Sequence, residues 1–208
     1  MTDSTNGTGG SGFTLVLASG SPRRRLLLSM AGFECEVVAP GIDEARLDDE
    51  PPEDFVRRVA EEKAAAVEIT QPAGTRVLGF DTSVVLDGRV FGKPTGEADA
   101  ATMLLSLAGR THTVYTGYAL VIAGEDRRDG GIDAARVRMK PITSEEAAAY
   151  AATGEPLDKA GAYALQGRGK GFVEEVEGLR STVIGLPLDH IVDLLLRHGV
   201  LPTRQGME

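Results

Sequence analysis

The stretch FTLVLASGSPRRRLLLSMAGFECEVVA, residues 13–39, sets the architecture. Phe13 to Ala18 is a continuous apolar run of strand length. Ser19-Gly20-Ser21-Pro22 then reads as a turn with an N-cap serine and a proline at the first helical position. In the helix that follows, Leu26, Leu27, Met30 and Ala31 supply the apolar stripe and Gly32 the stop. Phe33 to Ala39 alternates like a half-buried strand. The order is strand, turn, helix, strand.

Beyond it, Pro40 to Pro52 carries Asp43, Glu44, Asp48, Asp49 and Glu50 and reads as an acidic loop before a helix over about 53–69. Arg76 to Phe80 is a short strand ending in Asp81-Thr82, and residues 83–91 form a hairpin about Asp87-Gly88. A helix is expected from Glu97 to Leu107. Thr111 to Ile122 and Ile132 to Ile142 read as long strands paired as a hairpin. Thr143 and Glu146 form a capping box opening a helix to about Thr153, and Pro187 to His198 is a last amphipathic helix. Residues 154–171 are glycine-rich and without periodicity.

The 208 residues suit one large domain or two small lobes, and 42% hydrophobic with 25% charged residues is enough for a sizeable core. The net charge of −9 disfavours a nucleic-acid coat or a binder of anionic membranes. The single Cys35 excludes an internal disulfide. No apolar run reaches the length of a membrane span, and MTDSTNGTGGSG has neither the basic nor the apolar region of a secretory signal. The expectation is a cytoplasmic protein whose residues 1–12 and 202–208 are tails.

Chemistry concentrates in a few places. Ser19 to Arg25 places a small-residue turn and three guanidiniums at a helix N-terminus, an anion cradle in one reading and a solvated helix start in the other. Arginine in a first turn opposes the helix dipole, which favours an anionic partner. Lys63 falls on the apolar stripe of its helix, so it either faces a partner or snorkels past the edge. Asp81-Thr82 closes a buried strand, where open α/β sheets place ligand chemistry, unless the aspartate only caps a turn. Asp43-Glu44 and Lys93 are weaker on their own. Residues 154–167, GEPLDKAGAYALQG, have the polarity of a substrate loop. His112, His190 and His198 fit ordinary strand and helix patterns and read as structural. No zinc spacing, Walker loop, GxGxxG or GxSxG is present.

Taken in order, SGSPRR at 19–24, Asp43-Glu44, Ala60 to Ala64, Asp81-Thr82, Gly92-Lys93-Pro94, Gly109 to His112 and Glu155 to Gly167 closely resemble the Maf family of nucleoside triphosphate pyrophosphatases, also described as septum formation inhibitors. The resemblance runs from about Leu15 to Leu196. It implies an α/β fold with a mixed, elongated sheet, flanking helices and two lobes around a deep cleft, similar to the inosine triphosphatase group. One catalytic domain over 13–201 is implied, commonly as a homodimer. Asp158 to Tyr163, Gln166 and Thr82 match the branch acting on dTTP and UTP.

By the same resemblance Asp81 is the catalytic proton acceptor, and Arg23, Thr82 and Gln166 are tied to base selection. Glu44, Lys63, Lys93 and Arg24 match positions that handle metal and phosphate. Ser19, Ser21 and Lys159 complete the substrate-binding set, and Glu44 with Asp81 is the expected pair for a divalent cation, Mg²⁺ or Mn²⁺. Phe80 departs from the small alanine usual before the aspartate, which bears on pocket size and substrate range. The implied reaction is hydrolysis of dTTP and UTP, or of modified nucleotides in a house-cleaning role, to monophosphate and pyrophosphate. The alternative is a non-catalytic, nucleotide-sensing regulator of septum formation acting through a protein partner.

Overall fold

The structure, a computed structural model, describes residues 14–203. Phe13 and the predicted tails, apart from Pro202 and Thr203, lie outside the described residues. Strand β1 (Leu15–Ala18) leads into α1 (Pro22–Met30), β2 (Glu36–Val38) and α2 (Pro52–Glu68). Next come β3 (Arg76–Leu86), β4 (Arg89–Phe91), α3 (Glu97–Leu107), β5 (Thr111–Ile122), β6 (Arg128–Met139) and α4 (Ser144–Ala151). Short 3₁₀ turns occupy much of 155–172, before β7 (Val173–Glu177), α5 (Arg180–Ile184) and α6 (Leu188–Arg197). The strands form one seven-stranded sheet in the order β2-β1-β3-β5-β6-β7, with β4 also paired to β3. The β2-β1-β3 end is parallel and the remaining pairs are antiparallel, so the sheet is mixed.

Around β1 and β3 the sheet is covered on both faces, which is why those two strands read as apolar runs there. Leu15, Leu17, Leu78, Phe80, Leu120 and Ile122 pack with Leu28 of α1 and Ile191, Leu194 and Leu195 of α6. Their neighbours Val16, Ala18, Val77, Ala119 and Val121 pack on Ala60, Ala64 and Val67 of α2. A third cluster gathers the far half of β3, at Val84 and Leu86, with α3, α4, Val114, Val137 and Met139. No helix among the described residues is long and apolar enough to cross a membrane.

Several local expectations shift. Helix α1 buries Leu27 and Leu28, whereas Leu26 and Met30 are 51% and 74% exposed. Three consecutive leucines leave the phase of the stripe open, and only the sheet beneath selects it. Asp81 does not close a strand: β3 continues through it to Leu86. Strand β6 begins at Arg128 rather than Ile132, and β7 and α5 were not foreseen. The Asp87-Gly88 turn has positive φ at both residues, as a two-residue hairpin of the I′ kind requires. The Thr143–Glu146 capping box is formed in both directions. Thr203 N–H donates to the Gly32 carbonyl at 2.7 Å.

Helix α2 lies unusually close to the sheet. A Cβ on Gly79 would stand 2.1 Å from the Ala60 carbonyl oxygen, and one on Gly117 2.2 Å from that of Val56. Both glycines are therefore required by backbone approach, not by turn geometry. Gly79→Ala is expected to lower stability by about 2 kcal/mol through overpacking. The check is a fall in the denaturant midpoint, with Gly171→Ala as control, whose added methyl meets nothing within 4 Å and should leave the midpoint unchanged.

Candidate active site

The site follows from how one edge of β3 is shared. Along one edge β3 pairs with β5 from Arg76 to Val85. Along the other it pairs with β1 over Arg76–Gly79 and with β4 over Val84–Leu86, so residues 80–83 have no strand beside them there. Strand β1 ends at this gap, and its turn into α1 delivers Ser19 to Arg24 alongside Phe80 and Asp81. A cleft of about 610 Å³ opens at the gap, lined among others by Ser19, Ser21, Arg23, Arg24, Glu44, Lys63, Asp81, Thr82, Lys93, Lys159 and Gln166. Every site residue expected from the sequence lines this one cleft. It is the crevice beyond the carboxyl end of a parallel strand, where open α/β sheets bind ligands.

Strand alternation sends Asp81 and Thr82 to opposite faces. Asp81 shares the face of Val77 and Gly79 and so meets α2. There Lys63 Nζ donates to Asp81 Oδ1 at 2.8 Å and lies 2.8 Å from Glu44 Oε2. Lys63 is 5% exposed and Asp81 7%, so the lysine does not snorkel; it is buried and paired. The acidic loop thus brings Glu44 back to the helix, with its side chain still 42% exposed.

On the opposite face Arg24 spreads its guanidinium across the gap. Nε donates to the Gly185 carbonyl at 2.7 Å, Nη1 to Ser19 Oγ at 3.0 Å and to the Phe80 carbonyl at 3.2 Å, and Nη2 to Thr82 Oγ1 at 3.1 Å. Of five donors only one is left over. Burial lowers this guanidinium to about 10, against the opposing pull of Asp81 and Glu44. Thr82 continues the chain. Thr116 Oγ1 donates to the Thr182 carbonyl at 2.8 Å, so in its 3.0 Å bond with Thr82 it must accept, and the Thr82 hydroxyl proton is spent inside the protein. Ser21 caps α1 with its backbone only; its amide donates to Ser19 Oγ at 3.2 Å.

The glycine-rich stretch forms the remaining wall. Glu155 holds it together, accepting from Tyr150 Oη at 2.9 Å and from the Arg168 and Gly169 amides at 3.2 Å. Burial alone would raise this carboxyl; the Gly169 and Arg168 amides and the Tyr150 hydroxyl outweigh it and hold it below its ordinary value. Gly161, at φ +68°, presses the loop on Val84, where a Cβ would stand 3.0 Å from the valine side chain. Tyr163 Oη meets His112 Nε2 at 2.6 Å, and burial lowers that imidazole to about 4, so it is neutral. Arg23 and Lys159 both contact Asp158, at 3.1 and 2.5 Å, while Lys93 and Gln166 are exposed toward the opening.

Phe80, singled out for its size, does not line the cleft. It is fully buried, with the Arg24 guanidinium 5.5 Å from its ring centroid. Sequence reasoning missed Thr116, Thr182 and Gly185. Their partners are 34 to 161 positions away, and no local pattern marks such contacts. His112 and Tyr163 were each noted, but not as a pair.

The Maf-like protein family matches residues 14–198. A "dTTP/UTP pyrophosphatase" of Geotalea uraniireducens is 48% identical over 191 residues, 90% of this chain and 96% of that protein. Another of the same name from Gloeobacter violaceus is 51% identical over 183 residues, 87% of this chain and 94% of that one. A solved nucleoside-triphosphatase / dITP/XTP pyrophosphatase of Mycobacterium abscessus aligns at a TM-score of 0.42 and 17% identity, over 94% of this chain and 100% of that chain, a likeness too distant to argue from.

Lys63→Met would leave Asp81 buried without its cation, and a stability loss of about 3–5 kcal/mol is expected from such an unpaired charge. Asp81→Asn keeps Lys63 on Glu44 and should lose clearly less. Urea midpoints of the two variants check the order.

Proposed function

The chain belongs to the Maf-like protein family, and from that premise we propose that it is a nucleoside triphosphate pyrophosphatase acting on dTTP and UTP. Water adds across the anhydride between the α and β phosphorus atoms, giving a nucleoside monophosphate and pyrophosphate. The observation that carries this reading is the buried Lys63–Asp81 pair, with Glu44 reaching the same ammonium from the exposed loop, in a cleft otherwise rimmed by cations. Binding a triphosphate asks for positive charge alone. Two carboxylates set among the cations serve catalysis instead.

The roles follow from position. Lys63, Lys93, Arg23 and Lys159 face the cleft and supply the charge a triphosphate needs, with more of it developing as the bridge breaks. Arg24, nearly all of whose donors are spent on the protein, acts by fixing Ser19, Phe80 and Thr82 around the gap. Asp81 Oδ1 is held by Lys63, and its second oxygen is left to accept a proton from the attacking water. Gln166, exposed at the opening with an amide that both donates and accepts, is placed to read a pyrimidine edge. In this reading residues 13–201 are one catalytic domain, with its lobes built on the two halves of β3.

Among the described residues no group of three or more His, Cys, Asp or Glu forms a cage for a metal ion. Asp81 and Glu44 are nonetheless hard oxygen donors held beside each other by Lys63, and their oxygens not engaged by its ammonium are of the kind that would hold Mg²⁺ together with water and phosphate oxygens. Bound there, such an ion would offset negative charge on the phosphates.

Pyrophosphate release from a panel of canonical and modified triphosphates, with magnesium, manganese or chelator, tests the reading. Release from dTTP and UTP that chelator abolishes is the expected result, and silence across the panel from folded protein would overturn it. Asp81→Asn should lose roughly a hundredfold or more in turnover while remaining folded; near-wild-type turnover would remove Asp81 from its role. Gln166→Ala should flatten the preference for pyrimidine over purine triphosphates, because an unpaired buried polar group costs about 1–3 kcal/mol. An unchanged ratio of kcat/KM values would exclude Gln166.

A further inference from the structure

Arg58 takes no part in the chemistry above, yet every one of its donors is engaged. Nε and Nη2 donate to the two carboxylate oxygens of Glu50 at 2.7 and 2.8 Å, and Nη1 to both oxygens of Glu62 at 3.0 Å. The second Nη2 donor reaches the Ala45 carbonyl at 3.1 Å. The guanidinium also stands 5.7 Å from the centroid of the Phe55 ring. Glu50 in turn is drawn inward, its side chain only 9% exposed, and accepts from the Leu47 amide at 3.1 Å. Arg46 Nε closes the same loop on the Glu50 carbonyl at 2.8 Å. Asp49, between these contacts, is held at φ +55°.

Composition alone would leave such a loop in solvent. Asp43, Glu44, Asp48, Asp49 and Glu50 repel one another, and Glu44 must approach a buried carboxylate, Asp81. Glu44 has no secondary structure to hold it and its side chain is 42% exposed. What brings it to Lys63 is a loop fastened directly after it, at Ala45, the next residue, and again at Glu50. Both fastenings are to Arg58, five residues before Lys63 on the same rigid helix α2. Helix α2 thus carries the cation that Glu44 meets and the cation that holds the loop presenting it.

We propose that Arg58 is a positioning residue of the active site, a clamp that folds residues 45–50 so that Glu44 is delivered to Lys63 and Asp81. This rests on the reading of Glu44 as a working carboxylate. Arg58→Met is expected to lower kcat for dTTP by about tenfold to a hundredfold, the scale of a misplaced group, with KM little changed. In a Glu44→Gln background the same substitution should add no further loss, since its route of action is already removed. A loss in that background equal to the loss in wild type would overturn the proposal. Arg58→Lys, which cannot bridge Glu50, Glu62 and Ala45 together, should restore only part of the rate.

Amide hydrogen exchange gives an arm independent of catalysis. In Arg58→Met the Leu47 and Glu50 amides should exchange at least tenfold faster, while those of β3 and the far end of α2 keep their protection; unchanged protection at 47 and 50 would overturn the clamp. Should Arg58→Met not fold, Glu50→Gln is read by the same two arms. If wild-type protein releases no pyrophosphate from any nucleotide, the catalytic reading fails, and the exchange arm still decides whether the clamp exists.

Discussion

Lys63 can lie almost wholly out of water only because Asp81 and Glu44 each meet its ammonium at 2.8 Å. An unpaired ammonium at that depth would cost several kcal/mol, so the position of α2, the run of β3 and the path of the acidic loop are tied to one another through this contact. Helix α2 has to approach closely enough for Lys63 to reach Asp81. That approach is possible because Gly79 and Gly117 present bare backbone to the helix, where a Cβ would stand only 2.1 and 2.2 Å from the Ala60 and Val56 carbonyl oxygens. Two small residues with nothing to say about chemistry therefore decide whether the chemistry can assemble.

The second constraint is the gap in the sheet. Residues 80–83 of β3 have a strand on one edge only, between the end of β1 and the start of β4. An open edge of buried backbone needs partners, and Arg24 supplies one to the Phe80 carbonyl while joining Ser19, Thr82 and Gly185. Phe80 lies beneath it at cation–π distance. Four of the five donors of this arginine, which the sequence offers as a phosphate ligand, are engaged by the protein around the gap. Its neighbour Arg23 and the lysines at 93 and 159 remain turned toward the cleft.

The two sides of the cleft are held by unlike means. On the α2 side, ion pairs fold a loop that charge repulsion would otherwise extend. Opposite, a glycine-rich stretch with little secondary structure is ordered by Glu155, whose carboxylate gathers Tyr150 and two backbone amides, and by the buried Tyr163–His112 pair. In both cases an acidic residue that a composition count would assign to the surface serves as an internal anchor. This is how a chain of net charge −9 offers a cation-lined cleft.

Much of this was legible in the amino-acid order. Period-two alternation and continuous apolar runs located β1, β3, β5 and the hairpin at Asp87-Gly88, and the stripe through Val59, Lys63 and Val67 placed the lysine toward the core, because side-chain periodicity is a local property of the chain. The residues singled out by their motifs all line one cleft. Other features were not legible. The strand β7, VEEVE, carries too few apolar residues to stand out at an edge, and the stripe of α1 could be phased only by what packs on it. Whether Lys63 was paired or snorkelling, whether Asp81 ended its strand or lay within it, and which arginine faces the cleft all depend on contacts between residues far apart in sequence. Such contacts exist only once the sheet has formed, so the sequence by itself determined the elements and the chemical inventory, and the tertiary structure decided which charges meet.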